Sequence, residues 1–177
     1  MTRTTSIAVL GECGVGKTTL ISTLLECSDG VRSPYTPTIG VRSHDESDKL
    51  LSVTQRGELR SPIRLKLWDI SGSDAFDAMR LSHFKRSQGA IFVFDASSLT
   101  SLDSTLELVV QMKRSLPIDL VPKFPILLIG NIIRDGTTKN RSQSSVNGAG
   151  KWVCSEVEVA ERVSRLNIHF SVSHGSL

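Results

Sequence analysis

No stretch of this sequence approaches the roughly 20 apolar residues that a helix needs to cross a bilayer, and no signal segment opens it. Blocks of like charge are absent as well: 21 basic and 18 acidic residues are interspersed, for a net charge of +3. Neither nucleic acid nor an anionic membrane surface finds a charged patch to grip, so neither is expected as a partner. Cysteine is scarce. Cys13, Cys27 and Cys154 are odd in number and lack metal-ligand spacing, which argues for reduced thiols in an intracellular protein rather than a disulfide framework. The last residues, His174 to Leu177, hold no cysteine for prenylation, so no lipid anchor is expected. No internal repeat divides residues 1–177, which read as one domain long enough to bury a full core.

What the chain does have is an alternation of short apolar runs and helical patterns. Strands are predicted near Ser6 to Leu10, Leu50 to Gln55, Ile63 to Asp69, Ala90 to Asp95, Ile126 to Gly130 and Ile168 to Val172. Helices are predicted near Lys17 to Glu26, Asp74 to Phe84, Ser101 to Leu116 and Lys151 to Leu166. Nearly continuous apolar strands suit a parallel sheet buried on both faces. The pair from Leu50 to Asp69, joined through Gly57, reads as an antiparallel hairpin at its edge. Polar stretches at Asp45 to Leu50, Arg56 to Ser61 and Thr137 to Gly150 are expected to be mobile. The fold class is therefore α/β, a mostly parallel six-stranded sheet flanked by helices.

Within that order, Gly11-Glu12-Cys13-Gly14-Val15-Gly16-Lys17-Thr18 matches G-x-x-x-x-G-K-[ST] in full. A strand precedes it and a helix follows, as a phosphate-binding loop requires. Glycines let successive backbone N–H groups turn toward a polyphosphate, and the helix start adds its positive dipole end. Lys17 supplies a point charge for the β and γ phosphates, and Thr18 a hydroxyl for Mg²⁺.

Three further segments narrow the choice: Tyr35-Thr36-Pro37-Thr38-Ile39-Gly40-Val41, Leu67-Trp68-Asp69-Ile70-Ser71-Gly72, and Leu127-Leu128-Ile129-Gly130-Asn131. In this order and separation they resemble the small GTPases of the Ras superfamily, and the Thr-Ile-Gly-Val and Trp-Asp-x-x-Gly wording resembles the Rab branch. The resemblance runs from residue 5 to about residue 174 and implies a P-loop, Ras-like G domain binding GTP or GDP with Mg²⁺. It implies that Cys13, Gly14, Val15, Gly16, Lys17, Thr18 and Thr19 hold the phosphates, with Tyr35 and Thr38 in switch I and Gly72 in switch II. Thr18, Thr38 and Asp69 would form the Mg²⁺ surroundings, and Asn131, Asp135 and Ser173 would read the base. In the family the Thr38 and Gly72 contacts depend on the γ phosphate and act as the spring of a switch.

The departures from the pattern bear on activity. Ser73 stands where active relatives carry the water-orienting glutamine, so hydrolysis is expected to be very slow and no catalytic residue is assigned. Cys13 occupies a place that some relatives keep as glycine for a partner's arginine finger, and no arginine is seen to be supplied in cis. The base motif runs Asn131-Ile132-Ile133-Arg134-Asp135, with an isoleucine for the usual lysine and the carboxylate one residue late. Ile132 is expected to lay an apolar stem on the base. Ser43 replaces an aromatic of the Rab partner surface, while Trp68 remains. The chain stops within five residues of Val172, short of the family's final helix. We expect a longer natural chain whose tail covers a sheet face made by Ile7, Val9 and Leu128.

Together these departures resemble the Rab-like GTPases of the intraflagellar transport B particle, of the Rab-like five or subunit twenty-two type, with the subunit twenty-seven type as neighbour. That resemblance implies a nucleotide-regulated subunit docking through its switches onto coiled-coil subunits, monomeric outside the particle, in the cytoplasm and at the cilium or flagellum and its base. The alternative is a turnover GTPase of Rab type in vesicle traffic. A P-loop kinase or ATPase is disfavoured, since Thr38 and Asp69-x-x-Gly72 would then have no role.

Overall fold

The computed structural model describes residues 3–25, 36–51, 54–55, 58–59, 63–132, 154–164, 166 and 169–170. Its elements are β1 (Arg3–Leu10), α1 (Lys17–Leu24), β2 (Val41–Leu51), β3 (Thr54–Gln55), β4 (Glu58–Leu59), β5 (Ile63–Ile70), α2 (Asp77–Arg86), β6 (Gly89–Asp95), α3 (Leu99–Arg114), β7 (Ile126–Asn131), α4 (Glu156–Ser164) and β8 (His169–Phe170). Six strands form one sheet in the order β2-β5-β1-β6-β7-β8, and β3 pairs with β4 in a second, two-stranded sheet. Every pairing in the large sheet is parallel except that of β2 with β5. The α/β class expected from the sequence is the architecture found. Successive strands leave β1 on opposite sides, so the crevice for a ligand opens beyond the carboxyl ends of β1 and β6.

Both sheet faces are apolar. On one, Ala8, Leu10, Phe92, Phe94 and Leu128 pack with Phe84 of α2, Val109 and Met112 of α3 and Val159 of α4. On the other, Val9, Leu67 and Val93 pack with Val15 and with Ile21 of α1. The α3 stripe Leu102, Leu106, Val109 and Met112 is buried at helical spacing. Its first turn is fixed by Ser98, whose Oγ accepts from the Ser101 N–H at 3.2 Å. No described helix is long and apolar enough to cross a membrane.

Several expectations are corrected. The edge strand is β2, from Val41, and not a strand from Leu50, so Asp45 to Leu50 is strand backbone. Its sequence, VRSHDESDKLL, has no alternating apolar pattern, and its backbone ladder to β5 is what makes it a strand. A charged edge strand also discourages pairing with other chains. The register slips between Asp45 and Leu50, a bulge no sequence period announces. Leu128 lies on the opposite face from Val9: Val9 is in register with Ile91, and Ile91 with Leu127. Helix α3 begins two residues before Ser101, and α4 is shorter than the predicted Lys151 to Leu166.

Phe84 is fully buried between Phe92, edge-on at 6.4 Å, and Phe124, at 4.9 Å. Phe84→Ala is expected to remove about 3–5 kcal/mol of stability through lost burial and the cavity left behind. Urea unfolding monitored by circular dichroism measures it, and a loss below about 1 kcal/mol contradicts this account of the core.

Candidate functional site

Residues Gly11 to Gly16 leave β1 and wrap over its carboxyl end before α1 begins. At Gly16 the backbone sits at φ +89°, and a Cβ there would stand 2.3 Å from Asn131 Nδ2. Only glycine permits both the left-handed conformation and that approach. No side chain caps α1, and its first turn holds no acidic residue, so its leading N–H groups face the loop with their dipole uncompensated. The loop is thereby an anion cradle built from backbone. Cys13 and Gly14 are at its exposed rim, Val15 is buried beneath, and Thr19 is half-buried on α1.

Lys17 is the buried cation of this cradle, 6% exposed. Its Nζ donates to the carbonyls of Gly11 at 2.9 Å and Glu12 at 2.6 Å. Burial lowers its pKa from 10.5 to about 8; the Arg80 charge lowers it too, while Asp69, Cys13 and Glu12 pull the other way. The ammonium is therefore held where it is poorly solvated, and a polyanion in the loop would supply the missing counter-charge.

Beside it, three side chains from three segments converge. Thr18 Oγ1 donates to Asp69 Oδ2 at 2.6 Å, Thr38 Oγ1 donates to the same oxygen at 3.3 Å, and the two hydroxyls are 3.0 Å apart. Asp69 is fully buried, and its Oδ1 has no partner among the described residues. An orphaned carboxylate oxygen beside two hydroxyls fits a small hard cation that keeps several waters and takes its remaining ligands from phosphate. When bound, Mg²⁺ supplies charge neutralisation at the β and γ oxygens. Thr18 and Thr38 are the residues that would hold it, with Asp69 behind them.

The other predicted residues divide. Gly72 lies on the loop itself: a Cβ there would stand 2.3 Å from the Cys13 N and from the Glu12 carbonyl carbon. Asn131 is buried, and its Nδ2 donates to the Val15 carbonyl at 2.9 Å, tying β7 to the loop. Ile132 packs against the larger core cluster rather than standing free for a base. Tyr35, Asp135 and Ser173 lie outside the described residues.

Arg80 was missed by sequence reasoning. It is 6% exposed on α2; its Nη2 donates to the Ser73 carbonyl at 3.2 Å and pairs with Asp77 at 2.5 Å, with Asp74 at 3.6 Å. The guanidinium thus fastens the backbone just after Gly72 to the following helix. The available signal was the acid–base spacing of Asp77 and Arg80, three apart.

Residues 6–132 match the family described as Roc, Ras of Complex, domain of DAPkinase. The Ras-related protein Rab-32 of Homo sapiens is 29% identical over 141 residues, 80% of this chain and 59% of that protein. Rab-32 of Mus musculus is 31% identical over 138 residues, 78% of this chain and 57% of its own length. The GTP-binding protein Di-Ras1 of Mus musculus is 27% identical over 161 residues, 89% of this chain and 73% of that protein. The chain spans less than two thirds of the Rab-32 proteins it matches.

Proposed function

The chain belongs to the Ras superfamily of small GTPases, and from that premise we propose that it is a Mg²⁺-dependent guanine-nucleotide switch of Rab type. The observation that carries the proposal is the meeting of Thr18, Thr38 and Asp69 beside the Lys17 cradle. Thr38 belongs to one loop and Gly72 to another, and both stand against the phosphate site. A γ phosphate would therefore fasten two segments at once, and its loss would release both. The test is the nucleotide carried by protein purified without added ligand, identified by chromatography, followed by titration of GTP, GDP and ATP with and without Mg²⁺. Guanine nucleotide and Mg²⁺ dependence are expected. ATP competing as well as GTP overturns the guanine assignment.

For the finer role we propose a subunit of the intraflagellar transport B particle, in the cytoplasm and at the cilium or flagellum base, docking on coiled-coil subunits through the switches. Ser73, Ile132 and Ser43 support it, because each weakens turnover, base reading or ordinary Rab recognition. Pulldown with those subunits should succeed in the GTP form and fail with GDP or with Thr38→Ala; binding that ignores both overturns the role. The likeness to Rab-32 favours a second reading, a turnover GTPase in vesicle traffic.

Hydrolysis separates the two. Ser73 is too short to orient an attacking water, so single-turnover loss of GTP is expected near the slow intrinsic scale of about 10⁻⁴ s⁻¹. Because Arg80 already holds the Ser73 carbonyl, Ser73→Gln is expected to raise the rate on the order of tenfold by positioning alone. Fast turnover by the unmodified protein selects the vesicle-traffic reading.

A further inference from the structure

Two buried polar atoms beside the cation site have no hydrogen-bond partner among the described residues. One is Asp69 Oδ1 and the other is Nε2 of His44, on the edge strand β2. The ladder between β2 and β5 puts them on one face of the sheet. Arg42 stands opposite Asp69 and His44 opposite Leu67, and side chains two apart on a strand point the same way, so His44 is the diagonal cross-strand neighbour of Asp69. Theirs is the α1 side, where Leu67 packs with Val9, Val15 and Ile21. Diagonal neighbours stand about 7–8 Å apart, within reach of long side chains.

The two orphans are chemically complementary. An ionised carboxylate only accepts hydrogen bonds, so Asp69 Oδ1 needs a donor; Oδ2 already receives the Thr18 and Thr38 hydroxyls. Arg42 stands opposite but is exposed, and Oδ1 has no bond to it. Burial lowers the His44 pKa, with Asp69 pulling it up and Arg42 pushing it further down. The ring is therefore neutral, with one N–H to give. With that proton on Nε2, a single water spans the gap between donor and carboxylate.

We propose that His44 is a positioning residue of the cation site: through one bridging water its Nε2–H holds Asp69 Oδ1, and with it the aim of the carboxylate at the Thr18 hydroxyl. The inference rests on the Mg²⁺ switch reading above. Its weight differs between nucleotide states. Thr38 lies in the loop before β2 and supports Oδ2 while switch I is in place. His44 sits in the ladder itself, paired with Leu67, so it stays when Thr38 leaves. The carboxylate of the GDP form is then steadied by Thr18 and His44 alone. Groups that orient a metal site at one remove cost about 10–100-fold in metal affinity when deleted, and the larger loss falls on the GDP form.

Two measurements test this. Long-range nitrogen–proton NMR correlation on the full chain, freed of metal by chelation, reads which His44 nitrogen carries the proton. The Nε2–H form with slow proton exchange is expected, and Asp69→Ala should make that exchange fast. Release of fluorescent GDP and GTP analogues against free Mg²⁺ then reads the cation site. His44→Leu should raise the Mg²⁺ needed for half-maximal retention about tenfold with GDP, and less with GTP. His44→Gln, whose amide N–H can also reach a water, should restore most of the loss, which a side chain that merely fills space would not. Should His44→Leu fail to fold by circular dichroism, the Asp69→Ala exchange measurement decides alone. Unchanged retention in His44→Leu, a loss that His44→Gln does not restore, or a rapidly exchanging Nδ1–H form overturns the inference and leaves the switch reading standing. Retention that ignores Mg²⁺ in the unmodified chain overturns both. Zn²⁺ displacing the Nε2 proton in the chelated chain overturns the inference in favour of a metal ion between His44 and Asp69.

Discussion

Lys17→Ala is expected to lower the affinity for Mg²⁺–GTP by about a hundredfold or more. The lysine is buried and anchored to the Gly11 and Glu12 carbonyls, so its charge sits beside the loop without a solvated alternative. The one N–H left for phosphate makes a charge-assisted hydrogen bond worth about 1.5–3 kcal/mol, loss of the buried cation beside the β and γ oxygens adds to it, and every 1.4 kcal/mol is about tenfold. No other described lysine hydrogen-bonds to the loop to take over. Titration of the variant with a fluorescent GTP analogue measures the loss, and unchanged affinity removes the phosphate-loop reading.

The same residue sets a pH dependence with a definite sign. In the protein alone its pKa is lowered to about 8, and a polyphosphate nearby raises it. Above pH 8 binding must therefore take up a proton, and affinity falls with rising pH by up to about tenfold per unit. Below pH 8 the ammonium is already formed and the profile is flat. Folding has the opposite slope: between about 8 and the ordinary lysine value of 10.5 the unfolded chain binds the extra proton, so stability rises with pH through that window. Lys17→Ala should abolish both slopes, and a titration between pH 7 and 10 that shows none in the unmodified protein contradicts the burial assigned to Lys17.

The loop was legible because its conformation leaves chemical marks: a left-handed Gly16 against Asn131 excludes every other residue, and the lysine and threonine have single jobs. The buried strands were legible for a similar reason, since two covered faces demand unbroken apolar runs. Where backbone alone does the work, the sequence was silent. β2 is held by its ladder to β5 and carries a polar edge, so its start at Val41 left no period to read. Face assignment failed at Leu128 through parity: one residue moves a strand side chain to the other side of the sheet, and only the register with Ile91 and Phe92 decides it. Arg80 was hidden because burial of a charge depends on partners that fold beside it, here the Ser73 carbonyl and two aspartates.

Gly72→Ala is expected to leave a protein that binds nucleotide yet no longer distinguishes GTP from GDP in its partner contacts. The added methyl would lie 2.3 Å from both the Cys13 N and the Glu12 carbonyl carbon, and 2.6 Å from the Glu12 carbonyl oxygen. Those are backbone atoms of the phosphate loop and cannot rotate aside as a side chain would, so switch II must lift from the loop. Lysine and the Thr18–Asp69 pair are untouched by that movement, which leaves the cradle and the cation-binding hydroxyl in place. What is lost is the contact by which a γ phosphate draws the Gly72 amide inward. A ligand shifts a two-state equilibrium only by its difference in affinity for the two states, and this substitution removes much of that difference. The measurement is limited proteolysis of residues 72–86 in the GTP and GDP forms, with nucleotide affinity determined in parallel. Identical cleavage in both forms of the variant, against GTP protection in the unmodified chain, is the expected result; retained protection in the variant would show that switch II does not rest on the loop at Gly72.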